Sequence, residues 1–369
     1  MTSSFSVEMK RGGVEIIESI KDEWSSLASE GPCDEPFYRP EWFVAQARAF
    51  RPGCEICLVL LREEGRLRAV LPVGFELTWR GPLPARTIHS LTNGHSVRYN
   101  VIHGAGGDLA KIQQELWNFL RTLRGWDIIE LQNVPRGTAA EGLLALARRD
   151  GHPAGLKPGS PSPYILLPDK KDGVDAVLAR ATPSFRGNLR NQMRKLEAMG
   201  PVRLERIDRA DPEILRVFYE LEHGGWKGRA KTSIVSEERT RLFYDMAAEA
   251  AARGGYLSLY LLRCGDRVVA MHYGFLHAGR YFSPKVTYDE AYRKCGPGQL
   301  IMFEIVRDLI GRGAREFDIT GSSAPWKMEW TSNLRERGDC LIFRRSAYGG
   351  LLHALLLPLR SAWKAWRRR

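Results

Sequence analysis

A chain of 369 residues is too long for one ordinary hydrophobic core, so two domains are expected, and the composition is that of a soluble globular protein. Its net charge of +12 points to an anionic partner, with CoA, nucleic acid, a nucleotide-linked sugar and anionic lipid all in range. No basic start leads into a sustained apolar run, no stretch is long and apolar enough for a bilayer, and the six cysteines follow no framework spacing; a cytoplasmic, reducing compartment is the expectation.

In chain order, Glu55 to Leu61 reads as an apolar strand, Glu63-Glu64-Gly65 as a turn, and Leu67 to Leu77 as a second strand in which Pro72 suggests an edge or a bulge. Cys54 and Cys57 form a C-x-x-C without a second pair, in an apolar run that fits a strand better than a metal site. A loop rich in Gly, His and Asn precedes a helix from about Leu109 to Arg124 and a short strand from Asp127 to Leu131. The order recurs later: strands at Tyr256 to Leu262, Val268 to Leu276 and Tyr281 to Thr287, then a glycine loop, a helix, and a short strand from Glu316 to Ile319. Two copies of one α/β fold are expected, with mixed, mostly antiparallel sheets flanked by helices. Boundaries are set at 1–165, 166–347 and a tail 348–369, with the Pro/Gly-rich stretch His152 to Pro168 as the linker.

The second glycine loop, Arg293-Lys294-Cys295-Gly296-Pro297-Gly298-Gln299, opens a mostly apolar helix whose polar stripe is Glu304, Arg307, Asp308 and Gly311. Glycines without Cβ let backbone N–H groups approach an anion, and the helix dipole adds attraction there. The earlier loop, Val101-Ile102-His103-Gly104-Ala105-Gly106, repeats the spacing but has Val where Arg293 stands, so only the second copy is expected to grip an anion. Between the copies lies a basic amphipathic helix with Phe185, Leu189, Met193 and Leu196 on one face and Arg186, Arg190 and Arg194 on another, a pattern suited to a polyanion, an acidic membrane surface or plain solvation. Helices opening at Asp211-Pro212 and Ser236-Glu237-Glu238 flank a turn, Gly224 to Arg229, that presents Trp226 and Lys227 on a loop. From Tyr348 on there is no acidic residue; Leu352, Leu355, Leu356, Leu359, Trp363 and Trp366 share a stripe, which suggests contact with an anionic membrane surface or docking on the second domain.

The stretch Phe185 to Gly200, the Trp226-Lys227 turn, the run Tyr281 to Gly298 with its Arg-x-x-Gly-x-Gly, Phe317-Asp318 with Gly321, and Trp326-Lys327 with Trp330 together resemble the CelD-like acetyltransferase branch of the GNAT superfamily. The whole chain resembles the tandem GNAT layout shared with FemAB-like aminoacyltransferases. The resemblance implies an acyl-CoA lying where the strand before the loop splays from the strand after its helix. Gly296, Gly298 and Gln299 would bind its pyrophosphate, with Arg293 and Lys294 neutralising it. Pro297 can donate no N–H. Trp226, Lys227 and Lys327 are implied as acceptor contacts. Direct transfer to an amine needs a base, for which Asp318 is the first candidate and His272 the second; no metal cluster and no Ser/His/Asp set emerge. The leading expectation is an N-acyltransferase, acting on an amino sugar or amino acid in envelope or exopolysaccharide synthesis. Its competitors are a FemAB-like enzyme using aminoacyl-tRNA and a non-catalytic membrane-associated scaffold.

Overall fold

The computed structural model describes residues 5–357, which divide into two units, 5–160 with 336–357, and 161–335. The first unit holds an eight-stranded sheet. Its strands are β1 (Phe5–Gly12), β2 (Ile56–Glu63), β3 (Arg66–Arg80), β4 (Leu83–Ser90), β5 (Ile102–His103), β6 (Ile128–Pro135), β7 (Ala154–Pro158) and, from much later in the chain, β15 (Arg337–Phe343). The second unit holds a seven-stranded sheet: β8 (Ser162–Leu166), β9 (Val202–Ile207), β10 (Leu259–Cys264), β11 (Arg267–His277), β12 (Arg280–Tyr288), β13 (Glu316–Asp318) and β14 (Leu334–Arg335).

The two sheets repeat one plan. The order β1-β2-β3-β4-β6 matches β9-β10-β11-β12-β13, antiparallel except for the parallel pairs β4/β6 and β12/β13. Between the members of each parallel pair the chain passes through a helix, Leu109–Thr122 or Pro297–Gly311. Each helix buries its apolar residues: Ile112, Leu116, Trp117 and Leu120 in the first, Leu300, Ile301, Ile305, Val306 and Leu309 in the second. A fully buried Leu or Ile contributes roughly 1.5–3 kcal/mol, so these faces hold each helix to its sheet. β2 reads Ile-Cys-Leu-Val-Leu-Leu without alternation because both its faces are covered.

Several expectations are corrected. Pro72 lies in a central strand, not at an edge or in a bulge: β5 pairs with β3 at Ala69 and Val70, β4 takes over at Val73, and Pro72 sits between them, where no ladder N–H is needed. Its carbonyl on that side accepts from Leu91 N–H and Tyr99 Oη. Cys54 precedes β2 and only Cys57 is in the strand. The linker His152 to Pro168 contains two strands, β7 and β8. The boundary at 347 falls wrongly because β15 inserts between β6 and β7, antiparallel to both, and carries the following residues into the first unit. The helix Ala347–Leu356 begins the expected tail, yet Ser346 Oγ caps it at Gly349 N–H and Leu352 is buried against Ala85, Ile128 and Phe343 of the first unit. Leu359, Trp363 and Trp366 lie outside the described residues. Among the described residues no helix is long and apolar enough to cross a membrane.

Candidate active site

β12 and β13 stay paired for three residues, Arg280–Phe282 against Glu316–Asp318, and then part. Beyond the parting point a cavity of about 550 Å3 opens against the end of β12 at Val286, Thr287 and Tyr288. The glycine loop forms one wall through Arg293, Gly296 and Gly298; Glu222, Trp226 and Lys227 form another, with Trp326 beside them.

The loop's backbone conformation explains its glycines. Gly296 adopts φ +59°, the left-handed region, and a Cβ there would collide with the Gln192 side chain. It is the N-cap of the helix Pro297–Gly311, and no side chain caps that helix. Gly296 N–H donates to Arg293 O and Gln299 N–H to Gly296 O, so the open donor among these is the N–H of Gly298. A Cβ on Gly298 would meet only Tyr288, at 3.5 Å, leaving its outer side facing the cavity. Arg293 is exposed and lines the same cavity, whereas Lys294 is exposed and does not. Gln299 lines the cavity too, but its backbone N–H, expected to hold phosphate, is taken by Gly296 O, and its side chain is engaged elsewhere. Its Oε1 accepts from Trp330 Nε1 at 2.6 Å and its Nε2 donates to Glu329 Oε2 at 2.9 Å, so the side chain ties the helix start to the segment beyond β13.

Across the cavity, the expected Gly-rich loop is a short helix, Trp226–Arg229. Glu290 Oε1 accepts from Trp226 N–H at 2.8 Å, and both Glu290 oxygens accept from Arg229 at 2.9 Å. Arg229 beside it, with the Trp226 N–H, holds the Glu290 carboxyl below the usual carboxylate range. Trp226 itself is 55% exposed. Lys227 turns inward: Nζ donates to Glu222 Oε1 at 2.7 Å and to Val286 O at 2.8 Å, leaving one of its three donors toward the cavity. The Glu222 side chain is fully buried, and its second oxygen accepts from Ile234 N–H at 2.7 Å. Lys327, expected beside it, is instead a buried tether with Nζ 2.6 Å from Thr320 O; its neighbour Trp326 is the residue that lines the cavity.

Neither candidate base stands free. Asp318 is fully buried, accepts from Thr320 N–H at 2.9 Å and pairs with Arg335 at 2.6 Å, which makes it a cap and an ion-pair member rather than a group waiting for a proton. His272 is also fully buried, shares a hydrogen bond of 2.8 Å with Ser283 Oγ, and leaves Nε2 without a partner. Burial, with the charges of Lys227 and Lys327, pushes its pKa down to about 3 from 6.5, so the ring is neutral at ordinary pH and a weak base. The unfolded chain then binds more protons than the folded one between about pH 3 and 6.5, and stability falls as pH is lowered through that window. At pH 5 the loss is about 2 kcal/mol. Urea unfolding at pH 7.5 and pH 5 is expected to show His272→Gln losing about that much less than the wild type over the interval.

The first unit lacks this opening. β4 and β6 are paired as far as His89 and Glu130, and beyond them the connecting segment takes the edge of β6: Tyr99 N–H donates to Asn133 O, and Ser90 Oγ accepts from Gln132 N–H. At the helix start, Asp108 Oδ1 accepts from the N–H groups of Ala110 and Lys111. A carboxylate of the chain already holds the place an anion would take. The cavity of about 320 Å3 beside Gly104 and Gly106 is lined by Asp22, Glu23 and Glu30 as well as Arg66 and Arg68.

Four antiparallel strands, a helix entered through a glycine loop, and a fifth parallel strand that diverges at a cavity define the acyltransferase fold of the GNAT superfamily, present here twice. Residues 183–328 match the family model of an acetyltransferase (GNAT) domain, so the second unit carries a GNAT domain, and the first unit repeats its fold. Solved structures with a similar fold span both units. FemX is 12% identical with a TM-score of 0.58, over 95% of this chain and 99% of its own. A conserved protein of unknown function from Bacteroides thetaiotaomicron is 12% identical with a TM-score of 0.56, over 92% and 100%. L-PGS from Bacillus licheniformis is 11% identical with a TM-score of 0.50, over 93% and 96%. At such identities the likeness is one of fold. No curated protein sequence matches the chain.

Gln192, Arg229, Glu290 and Trp326 shape the site without having been singled out as site residues. Gln192 carries no sequence signal, since it lies among arginines on a polar helix face; Glu290 and Arg229 are 61 residues apart and meet only through the fold.

Proposed function

We propose that the second unit transfers an acyl group from a CoA thioester to the amine of a small polar acceptor, an amino sugar or an amino acid. The observation that carries this reading is the cavity at the β12/β13 parting, which runs to a helix start with no side-chain cap, an open Gly298 N–H and the free charge of Arg293. That helix start and Arg293 hold the pyrophosphate, and the unpaired inner edge of β12 receives the pantetheine. The third donor of Lys227 faces the reacting carbonyl and stabilises the oxygen charge that develops there. Trp226 and Trp326 offer flat faces to the acceptor.

Thermal unfolding with acetyl-CoA, longer acyl-CoAs and free CoA tests the reading. Ligand at about a hundred times its dissociation constant adds roughly 2.7 kcal/mol to the native state. The expected result is an upward shift of the midpoint that disappears in Gly298→Trp, whose indole would fill the cavity. The absence of a shift with every CoA species would overturn CoA as donor and make aminoacyl-tRNA the next ligand to assay.

A further inference from the structure

Between Ala176 and Leu196 the chain carries five cations, Arg180, Arg186, Arg190, Arg194 and Lys195, and no acid. Four of them lie on the helix Pro183–Glu197, whose one acid is its last residue, Glu197, and among the described residues no carboxylate pairs with them. Other helices of this unit neutralise their arginines internally: Arg216 with Glu213 and Glu220, Arg241 with Asp245, Arg253 with Glu249. The row is therefore an uncompensated field. Beside it a groove of about 390 Å3 has an apolar floor of Leu189, Met193, Leu300 and Phe303, with Arg186 and Arg190 on its rim and a single carboxylate, Asp175. The same helix touches the candidate active site, because Gln192 packs against Gly296.

We propose that this face docks the acidic amphipathic helix of a phosphopantetheine carrier protein, which delivers the acyl group to the cavity. The inference rests on the acyltransferase reading and adds to CoA a second donor that carries the same phosphopantetheine thioester. From Arg186 to Arg194 the row rises about 12 Å, two helical turns, which matches two turns of a partner helix bearing carboxylates. The 3′-phosphate of CoA is a single compact dianion and calls for one or two cations, not a row. A nucleic-acid backbone would use the charges but leave the apolar floor without a purpose. An amphipathic acidic helix uses both. The carrier's single phosphate reaches the loop at Gly298, and its pantetheine follows the route along β12. The thioester C–S bond then breaks as the amide C–N bond forms, and the carrier's thiol leaves with the proton released by the amine.

The test uses the full chain, holo-acyl carrier protein and its acetylated form. Binding is read by fluorescence anisotropy at low and moderate salt, and transfer by kcat/KM with acetyl-carrier and with acetyl-CoA. The variants are the triple Arg186→Glu, Arg190→Glu, Arg194→Glu and, as a milder set, the same three to Gln. Salt-sensitive binding is expected, at least tenfold weaker in the charge-reversed variant. The kcat/KM for acetyl-carrier is expected to fall at least tenfold while that for acetyl-CoA changes less than twofold. No binding of the carrier, or binding indifferent to the substitutions, overturns the proposal. So does an equal fall with both donors, which would give the arginines to CoA, and so does arginine-dependent binding of tRNA in place of the carrier. Arginine-dependent carrier binding without turnover of any donor would uphold the docking face and sink the acyltransferase reading instead.

Discussion

Lys227→Met is expected to abolish transfer and to destabilise the second unit by roughly 3–5 kcal/mol, the range for stranding one partner of a buried ion pair. Lys227 Nζ lies 2.7 Å from Glu222 Oε1, and the Glu222 side chain is fully buried with only the Ile234 N–H as its other partner. Removing the ammonium leaves that buried carboxylate without its cation. Replacing both partners, as Lys227→Met with Glu222→Leu, is expected to recover most of the lost stability, because an apolar pair of similar volume has no desolvation cost. Activity is expected to stay lost, since the donor facing the reacting carbonyl is still missing. Urea denaturation of the three variants, set beside single-turnover transfer, separates the two roles of Lys227. A double variant as active as the wild type would remove Lys227 from the chemistry.

The second large effect lies at Arg335. Its guanidinium joins two carboxylates of one strand, Asp318 at 2.6 Å and Glu316 at 3.2 Å, and stacks 4.6 Å from the Tyr164 ring centre. Arg335→Met is expected to cost about 3–5 kcal/mol by removing the guanidinium that pairs with the buried Asp318 and with Glu316. Asp318→Asn is milder. The amide oxygen still accepts from Thr320 N–H and Arg335 still has Glu316, so about 1–3 kcal/mol is expected. Below the melting range kcat should stay close to that of the wild type, measured at low temperature with saturating donor. A fall of a hundredfold or more in kcat at unchanged stability would restore Asp318 as the base.

The repeat was legible because it is written locally. Hairpin turns at Gly65 and Gly265, apolar strands either side, and a glycine spacing before each long helix all appear within short windows of sequence. The glycine loop and the Trp226-Lys227 turn were legible for the same reason, and the fold places both on one cavity. Strand exchange was not. β8 contains Pro163 and follows Pro161, prolines that read as a linker, and nothing in Arg337–Phe343 says that its partners are β6 and β7, some 200 residues earlier. The environment of Asp318 was hidden likewise, since its neutralising arginine lies 17 residues on, beyond a turn and a short helix. A sequence shows that a carboxylate is present; only tertiary pairing shows that it is already engaged.

The insertion of β15 between β6 and β7 sets an order of assembly during synthesis. The second unit is one continuous segment, 161–335, and has all its strands once that segment has left the ribosome. The first unit, although made earlier, must wait: until Arg337–Phe343 emerges, β6 has one open edge and β7 has no partner. An unpaired edge is the surface through which chains join one another. The nascent protein thus carries its exposed edge for the whole time its second half is being translated, which inverts the usual order in which the N-terminal domain is finished first.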